Sequence, residues 1–448
     1  RGRMNRDLTK GPVLRTMLRF SVPMILGNLL QQCYNLADTW VVGRFLGSNA
    51  LAAVGSSFTL MTFLTSILLG LCMGSGAVFS MRFGQKDERA LKESVRTSFL
   101  LISVLTVILN VLAFVCLDGI RIFLQVPDAV WDLMRDYLKI IFCGIAATFL
   151  YNFFASYLRA VGNSIVPLWF LAVSAVLNIG LDLWFVIGLS RDVGGAAEAT
   201  VLSQYIAGVG IMVYAVLRCP ELRAKEKFRL RRRSLREIAD YSVLTCVQQS
   251  VMNLGILMVQ GLVNSFGAPI MAAFAAAVKI DAFAYMPVQD FGNAFSTFTA
   301  QNYGAGEKER LRKGLKDALG VSVLFSLAVS AVVFIFARPL MGLFVDSAET
   351  QIIEEGVRYL RIEGAFYFGI GILFLLYGLY RAVGRPGMSV VLTVLSLGTR
   401  VVLAYALSAI PALGVVGIWW SVPIGWALAD IVGILYYVFR KKKLLTFS

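Results

Sequence analysis

Long apolar runs, separated by short polar connections, dominate the pattern of this chain. An α-helix needs about 20 predominantly apolar residues to cross the hydrocarbon core of a bilayer. Twelve runs reach that length, at about 15–43, 51–80, 94–117, 130–157, 164–188, 194–217, 238–265, 269–300, 314–337, 352–380, 386–408 and 414–439. The pattern therefore predicts an all-α polytopic membrane protein with twelve transmembrane helices.

Four short motifs recur in the same order at an offset of 220 to 222 residues. They are RFGQKDERALK (82–92) with NYGAGEKERLRK (302–313), YLKI (137–140) with YLRI (359–362), RAVG (159–162) with RAVG (381–384), and FSVP (20–23) with YSVL (241–244). Such a series predicts an internal repeat of six helices. Because six is even, both copies enter the membrane in one direction, and we expect two pseudo-two-fold related six-helix bundles.

Three regions follow from the repeat and from the polar connection between the copies. We predict an N-terminal lobe at 14–218, a cytoplasmic basic linker at 219–236 and a C-terminal lobe at 237–440. The two lobes are expected to enclose a cavity.

The distribution of charge predicts the orientation of the helices. The chain carries 42 Lys and Arg residues and a net charge of +15, with a mean hydropathy of +0.73. If the N-terminus is cytoplasmic, the opposite-side loops hold just Arg44, Arg121, Arg191 and Arg338. This asymmetry predicts an inner-membrane protein with both termini in the cytoplasm. The positive charge then orients the helices in the membrane and contacts anionic lipid headgroups, so we expect no nucleic-acid partner.

The composition argues against an enzyme. The chain has no histidine, its six cysteines form no C-x-x-C pair, and the GAG run at 304–306 lacks the Lys-Ser/Thr of a phosphate loop. We therefore predict no catalytic residues, no cofactor and no structural metal. Any proton chemistry must use carboxylates, tyrosine or lysine.

The first apolar segment carries a polar stripe. Asn28, Gln31, Asn35 and Asp38 are spaced by 3, 4 and 3 residues, which places them on one face of a helix. A charged residue at the centre of a membrane helix costs about 2.5–3.5 kcal/mol on insertion scales, and it usually marks a pathway or a site. The alternative is that Asp38 lies near the helix end and is hydrated at the interface.

Other helices bring polar groups to the depth of Asp38. Asn178 and Asp182 lie one turn apart in helix five, and Thr200 and Tyr137 reach the same layer, about 8–9 Å below the outer surface. If Asp38 and Asp182 face each other, both cannot stay ionised at low cost, so the pair can hold a proton. Alternatively, the two carboxylates with the oxygens of Asn178 and Thr200 hold Na⁺. A purely structural stripe of interhelical hydrogen bonds is the remaining alternative.

The C-terminal lobe has a different set of polar residues. Its members are Gln249 and Asn253 in helix seven, Lys279 and Asp281 in helix eight, Glu363 in helix ten and Arg400 in helix eleven. Similar depths predict that Lys279 or Arg400 pairs with Asp281 and Glu363. The set is either a static ion-pair network or a functional relay that belongs to the substrate cavity.

Several motifs resemble those of the multidrug and toxic compound extrusion (MATE) family. They are the P-x7-Q-x6-D order of helix one (Pro23, Gln31, Asp38), the run from Gly43 to Gly55, the RAVGN turn at 159–163 and the AQNYGAG run at 300–306. The resemblance covers essentially the whole chain and implies a twelve-helix fold of two lobes. It also implies export of organic cations, driven by inward flow of H⁺ or Na⁺.

Within the family, the N-terminal lobe is similar to the DinF-like branch. That branch uses an aspartate in helix one, an Asn-x3-Asp pair in helix five and a threonine in helix six, which here match Asp38, Asn178, Asp182 and Thr200. The NorM-like branch places acidic residues in helices seven and ten, whereas this chain has glutamines in helix seven. The NorM-like cation site is therefore not carried over as a whole.

These observations predict a secondary antiporter that exports small cationic amphipathic drugs or metabolites in exchange for H⁺ or Na⁺. We expect the exporter to act as a monomer. The alternative is a flippase or exporter of lipid-linked or anionic substrates, which would use the basic residues Lys279 and Arg400.

Overall fold

The computed structural model describes residues 7–124, 126–219, 222, 230–343, 345 and 347–444. Within these ranges the chain forms sixteen α-helices, and one π-helical turn at Trp184–Gly188 follows the seventh. The helices are α1 (Val13–Phe45), α2 (Ser48–Gly84), α3 (Glu88–Val115), α4 (Leu117–Leu124), α5 (Asp128–Phe142), α6 (Ile145–Ala160), α7 (Ile165–Leu183), α8 (Val193–Arg218), α9 (Arg232–Asn264), α10 (Ala268–Ala305), α11 (Lys308–Ile335), α12 (Ala337–Gly342), α13 (Thr350–Gly364), α14 (Tyr367–Ala382), α15 (Pro386–Ser408) and α16 (Val415–Leu444).

Each predicted apolar segment corresponds to one helix or to one bent helix pair. Eight spans are individually long and apolar enough to cross a membrane, and the pairs α5–α6 and α13–α14 bring the number in the described chain to ten. The remaining two predicted segments are α9 and α10, which contain 33 and 38 residues. Both are longer than the membrane requires at 1.5 Å per residue.

The prediction of continuous helices at 130–157 and 352–380 is wrong. The structure bends α5 against α6 by 45° and α13 against α14 by 51°. Close packing against other helices accompanies both breaks. A Cβ atom at Gly144 would lie 3.2 Å from a methyl group of Val201, and one at Gly364 would lie 3.0 Å from a methyl group of Val333. Such contacts leave no trace in the hydrophobic pattern of the segment itself.

The chain divides into two compact units. The first contains Val22–Cys246, and the second contains Leu8–Ser21 together with Val247–Ser448. Helices α1 and α9 therefore each contribute residues to both units. The first unit contains the predicted coupling residues of the N-terminal lobe, and the second contains the polar residues of the C-terminal lobe.

The AQNYGAG run anchors the N-terminal segment within the second unit. The side-chain oxygen of Gln301 accepts a hydrogen bond from the backbone N–H of Leu8 at 3.0 Å. The carbonyl of Leu8 accepts hydrogen bonds from Asn302 at 3.2 Å and from the guanidinium of Arg310 at 2.7 Å. Leu8 is fully buried. This motif therefore has a structural role at the start of the chain.

Candidate functional site

Two carboxyl groups meet in the first unit, one from α1 and one from α7. Asp182 is fully buried and Asp38 is half-buried, and their side chains lie within hydrogen-bonding reach of each other. Among the described residues, no donor bonds to Oδ1 of Asp38 or to either carboxylate oxygen of Asp182. Ionised carboxylates are acceptors only, so this contact becomes a hydrogen bond when one of the two carries a proton.

Two tyrosines lie next to this carboxylate pair. Tyr137 of α5 is buried and interacts electrostatically with both Asp38 and Asp182. Tyr34 of α1, one turn before Asp38, interacts with it as well and is in hydrogen-bonding reach of Gln31. Sequence reasoning included Tyr137 and Gln31 but missed Tyr34. The spacing of four residues between Tyr34 and Asp38 was the signal that could have identified it.

The other predicted N-terminal residues differ in their surroundings. Asn178 is buried one turn before Asp182, and its Oδ1 has no hydrogen-bond partner among the described residues. The Thr200 hydroxyl donates to the carbonyl of Ala196 at 3.1 Å, so it is bonded to its own helix. Asn35 is half-buried on the stripe of α1. The structure thus brings Asp38, Asp182 and Tyr137 together, with Asn178 adjacent along α7.

An apolar cluster in the first unit contains Tyr137 and residues that follow Asp38 and Asp182 along the chain. It includes buried residues from the end of α1, the start of α2, α5, the π-helical turn and the start of α8: Val41, Val42, Ala50, Val54, Tyr137, Ile141, Val186, Val193, Ala196 and Ala197. Tyr137 belongs to this cluster and also interacts with both carboxyl groups. The interaction between charges is stronger there than in water because the local dielectric constant is lower.

A second group of acidic and aromatic residues lies in the second unit. Asp281 of α10 accepts a hydrogen bond from the hydroxyl of Tyr359 at 2.6 Å and another from the hydroxyl of Tyr367. Glu363 is in hydrogen-bonding reach of Asp281, and Arg400 of α15 interacts electrostatically with both. We call these five residues the acid–tyrosine cluster. Both of its carboxylates are almost fully buried.

Three predicted members of the C-terminal set, Lys279, Gln249 and Asn253, have other surroundings in the structure. Lys279 is exposed, whereas Asp281, two residues later on α10, is buried. Two residues are about 200° apart around a helix axis, so their side chains point to nearly opposite faces. In α9 the Asn253 amide donates to the backbone carbonyl of Gln249 at 3.2 Å.

Sequence reasoning missed Tyr359 and Tyr367. The YLRI motif at 359–362 had been singled out as a repeat of YLKI, which contains Tyr137. Because equivalent positions in a repeat occupy similar places in their units, that match could have identified Tyr359. Tyr367 follows the break between α13 and α14, which the prediction did not contain.

The chain matches a family model described as MatE twice, at residues 23–184 and 243–406. The probable multidrug resistance protein YpnP of Bacillus subtilis (strain 168) is 29% identical over 445 residues, covering 98% of this chain and 97% of that protein. The multidrug export protein MepA of Staphylococcus aureus (strain NCTC 8325 / PS 47) is 25% identical over 444 residues, covering 97% and 95%.

Two solved structures are similar over 98% of both chains. One is an outward-facing multidrug resistance MATE family transporter of the MOP superfamily, with a TM-score of 0.90 and 25% identity. The other is a MOP superfamily transporter from Pyrococcus furiosus, with a TM-score of 0.91 and 24% identity. Together with the double match to the family model, these likenesses confirm the predicted twelve-helix fold with an internal repeat.

Proposed function

Because the chain belongs to the MatE family, we propose that it is a secondary active antiporter that exports cationic amphipathic drugs or metabolites in exchange for H⁺ or Na⁺. The family consists of transporters, and this chain is a multi-pass membrane transporter. The proposal assigns the coupling ion to the first unit. It places the protein in the bacterial inner membrane with cytoplasmic termini, as the positive-inside distribution indicates.

The contact between Asp38 and Asp182 is the observation that carries the proposal. At an effective dielectric constant of about 20, two like charges about 4 Å apart repel by about 4 kcal/mol. No donor of the described chain offsets this repulsion at the three unpartnered oxygens. The pair is therefore stable when it holds a cation, and a proton shared between the two carboxyl groups is the simplest one.

Sodium is the second coupling ion that this chemistry allows. Na⁺ favours hard oxygen ligands, and the free Oδ1 of Asn178 adds one beside the two carboxylates. Both ions act through the same residues. Exchange of the ion would change the charge on α1 and so bias this helix between two conformations. Pro23 lies inside α1 and provides a point where the helix can bend.

A cationic substrate would compete with the coupling ion for the same carboxylates. Binding of the drug and binding of the ion are then mutually exclusive, which is the requirement for exchange. The half-buried Asp38 is the more accessible of the two acids. We assign it the first contact with the substrate and assign Asp182 to retention of the ion.

The alternative substrate class, anionic or lipid-linked molecules, needs a site with net positive charge. In the second unit, the charge of Arg400 is balanced by two carboxyl groups. Lys279 is exposed and lies on a different face of α10 from Asp281. These surroundings favour the cationic substrate over the anionic one.

Purified protein in proteoliposomes tests the proposal. Efflux of a cationic dye is measured under an imposed H⁺ gradient and, separately, under a Na⁺ gradient. We expect Asp38→Asn and Asp182→Asn to abolish gradient-driven efflux, because each removes the charge that binds the ion. Asp136→Asn is the matched control, since Asp136 is exposed on α5 next to Tyr137. Unchanged efflux in both site variants would refute the proposal.

A further inference from the structure

A third buried carboxylate lies in the second unit, outside the acid–tyrosine cluster. Asp430 is 7% exposed and lies in the middle of α16, about 22 Å along the helix from its first residue. The rest of the segment 414–439 is apolar enough to span a membrane. The proposed coupling mechanism does not use Asp430. A buried ionisable group in a membrane helix usually has a polar partner and marks a functional site.

One buried phenol lies near Asp430, and two further hydroxyls are linked to that phenol. The phenol of Tyr377 on α14 interacts electrostatically with Asp430 and is in hydrogen-bonding reach of Thr393 and Ser396 on α15. All three of these side chains are buried. Oδ1 of Asp430 has no hydrogen-bond partner among the described residues. Helices α14, α15 and α16 thus form a pocket with one carboxylate and three hydroxyls.

The close approach of α14 keeps the carboxylate inside this pocket. A Cβ atom at Gly369 would lie 3.7 Å from Oδ2 of Asp430 and 3.3 Å from Cβ of Trp426. Trp426, one turn before Asp430 on α16, is 5% exposed. The carboxylate is therefore enclosed by the backbone of α14 on one side and an indole along its own helix.

The cationic side chains on the packed helices are directed elsewhere. Helices α13, α14 and α15 pack against α16. On α14, the buried Arg381 donates to Oδ1 of Asn293 at 3.4 Å. On α15, Arg400 belongs to the acid–tyrosine cluster, as does Glu363 of α13. Among the described residues of these packed helices, Tyr377 carries a titratable group that interacts with Asp430.

An isolated ionised carboxylate is costly at such a position. The penalty for taking one ion out of water is several kcal/mol even after the protein relaxes. A neutral acid or an ion-paired acid avoids this penalty. Carboxylate and hydroxyl oxygens are hard ligands, and they suit a small monovalent cation of the alkali type as well as a proton.

We propose that Asp430, with the hydroxyl oxygens of Tyr377, Thr393 and Ser396, binds one monovalent cation, H⁺ or Na⁺, in the second unit. This site is separate from the pair Asp38–Asp182 and does not depend on the role proposed for that pair. A polar stripe on α15 formed by Ser396 and Arg400, one turn apart, leads from the pocket toward the acid–tyrosine cluster.

Direct ion binding by the full-length protein tests the proposal without any transport assay. The background is the double variant Asp38→Asn/Asp182→Asn, in which the first-unit carboxylates are removed. Proton uptake is measured by titration from alkaline pH down to about pH 6, above the range in which ordinary carboxylates take up protons, and Na⁺ binding is measured with radioactive sodium in lipid nanodiscs. Each measurement is repeated after adding Asp430→Asn.

We expect the added substitution to remove one titrating proton, one bound Na⁺ or both. Loss of the proton alone assigns the site to H⁺, and loss of sodium assigns it to Na⁺. Asp317→Asn, on α11, is the control and leaves both quantities unchanged. If Asp430→Asn removes neither ion from the folded background protein, the proposal is wrong, whatever the efflux measurements on Asp38 and Asp182 give.

A second variant keeps the carboxylate and so guards against misfolding. Tyr377→Phe removes one hydroxyl from the pocket and preserves the packing of the ring. It is expected to shift the pH midpoint of the proton that Asp430→Asn removes, or to weaken Na⁺ binding. A midpoint and a sodium affinity that both equal those of the background would overturn the assignment of this hydroxyl and of the pocket.

Discussion

The two units each contain a pair of acidic side chains in contact, and the pairs differ in what surrounds them. In the first unit, both oxygens of Asp182 lack a donor within the described chain. In the second unit, two tyrosine hydroxyls donate to Asp281, and a guanidinium lies beside the pair. Asp281 has its fixed donors, while Oε2 of Glu363 has no hydrogen-bond partner among the described residues, so this pair has less need of a mobile cation than the first. The difference supports the proposal that assigns ion coupling to the pair without donors.

One pair of equivalent positions in the repeat differs in charge between the two units. Asn178 of helix five and Arg400 of helix eleven are 222 residues apart, the same offset as the tyrosines of YLKI and YLRI. The first unit has a neutral amide where the second has a permanent positive charge. A fixed cation at this place neutralises the carboxylates internally, whereas an amide leaves their charge for an exchangeable ion.

The largest effect is expected from giving the first unit the cation of the second. Asn178→Arg places a guanidinium one turn from Asp182, where it can compensate the carboxylate charge permanently. We expect near-complete loss of gradient-driven dye efflux with a folded protein, measured in proteoliposomes and by size-exclusion chromatography. Asn178→Gln keeps the amide and should retain part of the activity. Normal efflux by the arginine variant would contradict the comparison.

The reverse change should affect stability first. Arg400→Met leaves the two buried carboxylates of the acid–tyrosine cluster without their cation, and breaking a buried pair costs about 3–5 kcal/mol. Because Arg400 is itself half-buried, we expect the lower end of that range, about 3 kcal/mol. The midpoint of thermal unfolding in detergent measures it. An unchanged midpoint would show that Arg400 does not compensate these acids.

The two equivalent tyrosines, Tyr137 and Tyr359, should contribute differently to stability. Tyr359→Phe removes a hydrogen bond to a buried carboxylate, which is worth about 1.5–3 kcal/mol. Tyr137→Phe removes no hydrogen bond to Asp182, whose oxygens accept none from the described chain. We therefore expect a clear fall in the unfolding midpoint for Tyr359→Phe and a smaller one for Tyr137→Phe. Equal shifts in the two variants would count against the distinction between the units.

The smallest effect is expected at Lys279. Its side chain is exposed, and exposed ion pairs contribute about 0–1 kcal/mol. Lys279→Met should leave both the unfolding midpoint and the efflux of cationic dye close to those of the parent, measured side by side. A loss of transport specific to anionic substrates would instead support the alternative substrate class.

The sequence identified some residues of the candidate sites and missed others. Asp38 and Asp182 were identified because a charge in an apolar run is conspicuous and because their depths match. The sequence left open whether Lys279 or Arg400 pairs with Asp281 and Glu363, and in the structure Arg400 interacts with both acids. Asp430 was missed although it is also a charge in an apolar run, because the hydroxyl near it belongs to another helix and no spacing in the sequence indicates the contact.

The sequence by itself determined the twelve apolar segments and the internal repeat. These properties depend on the partition of side chains between water and lipid, which is read locally along the chain. The tertiary structure alone decided the breaks at Gly144 and Gly364 and the donors of each carboxylate. Those features depend on how each helix is rotated and where it is closely packed, and that is set by contacts with residues far away in the chain.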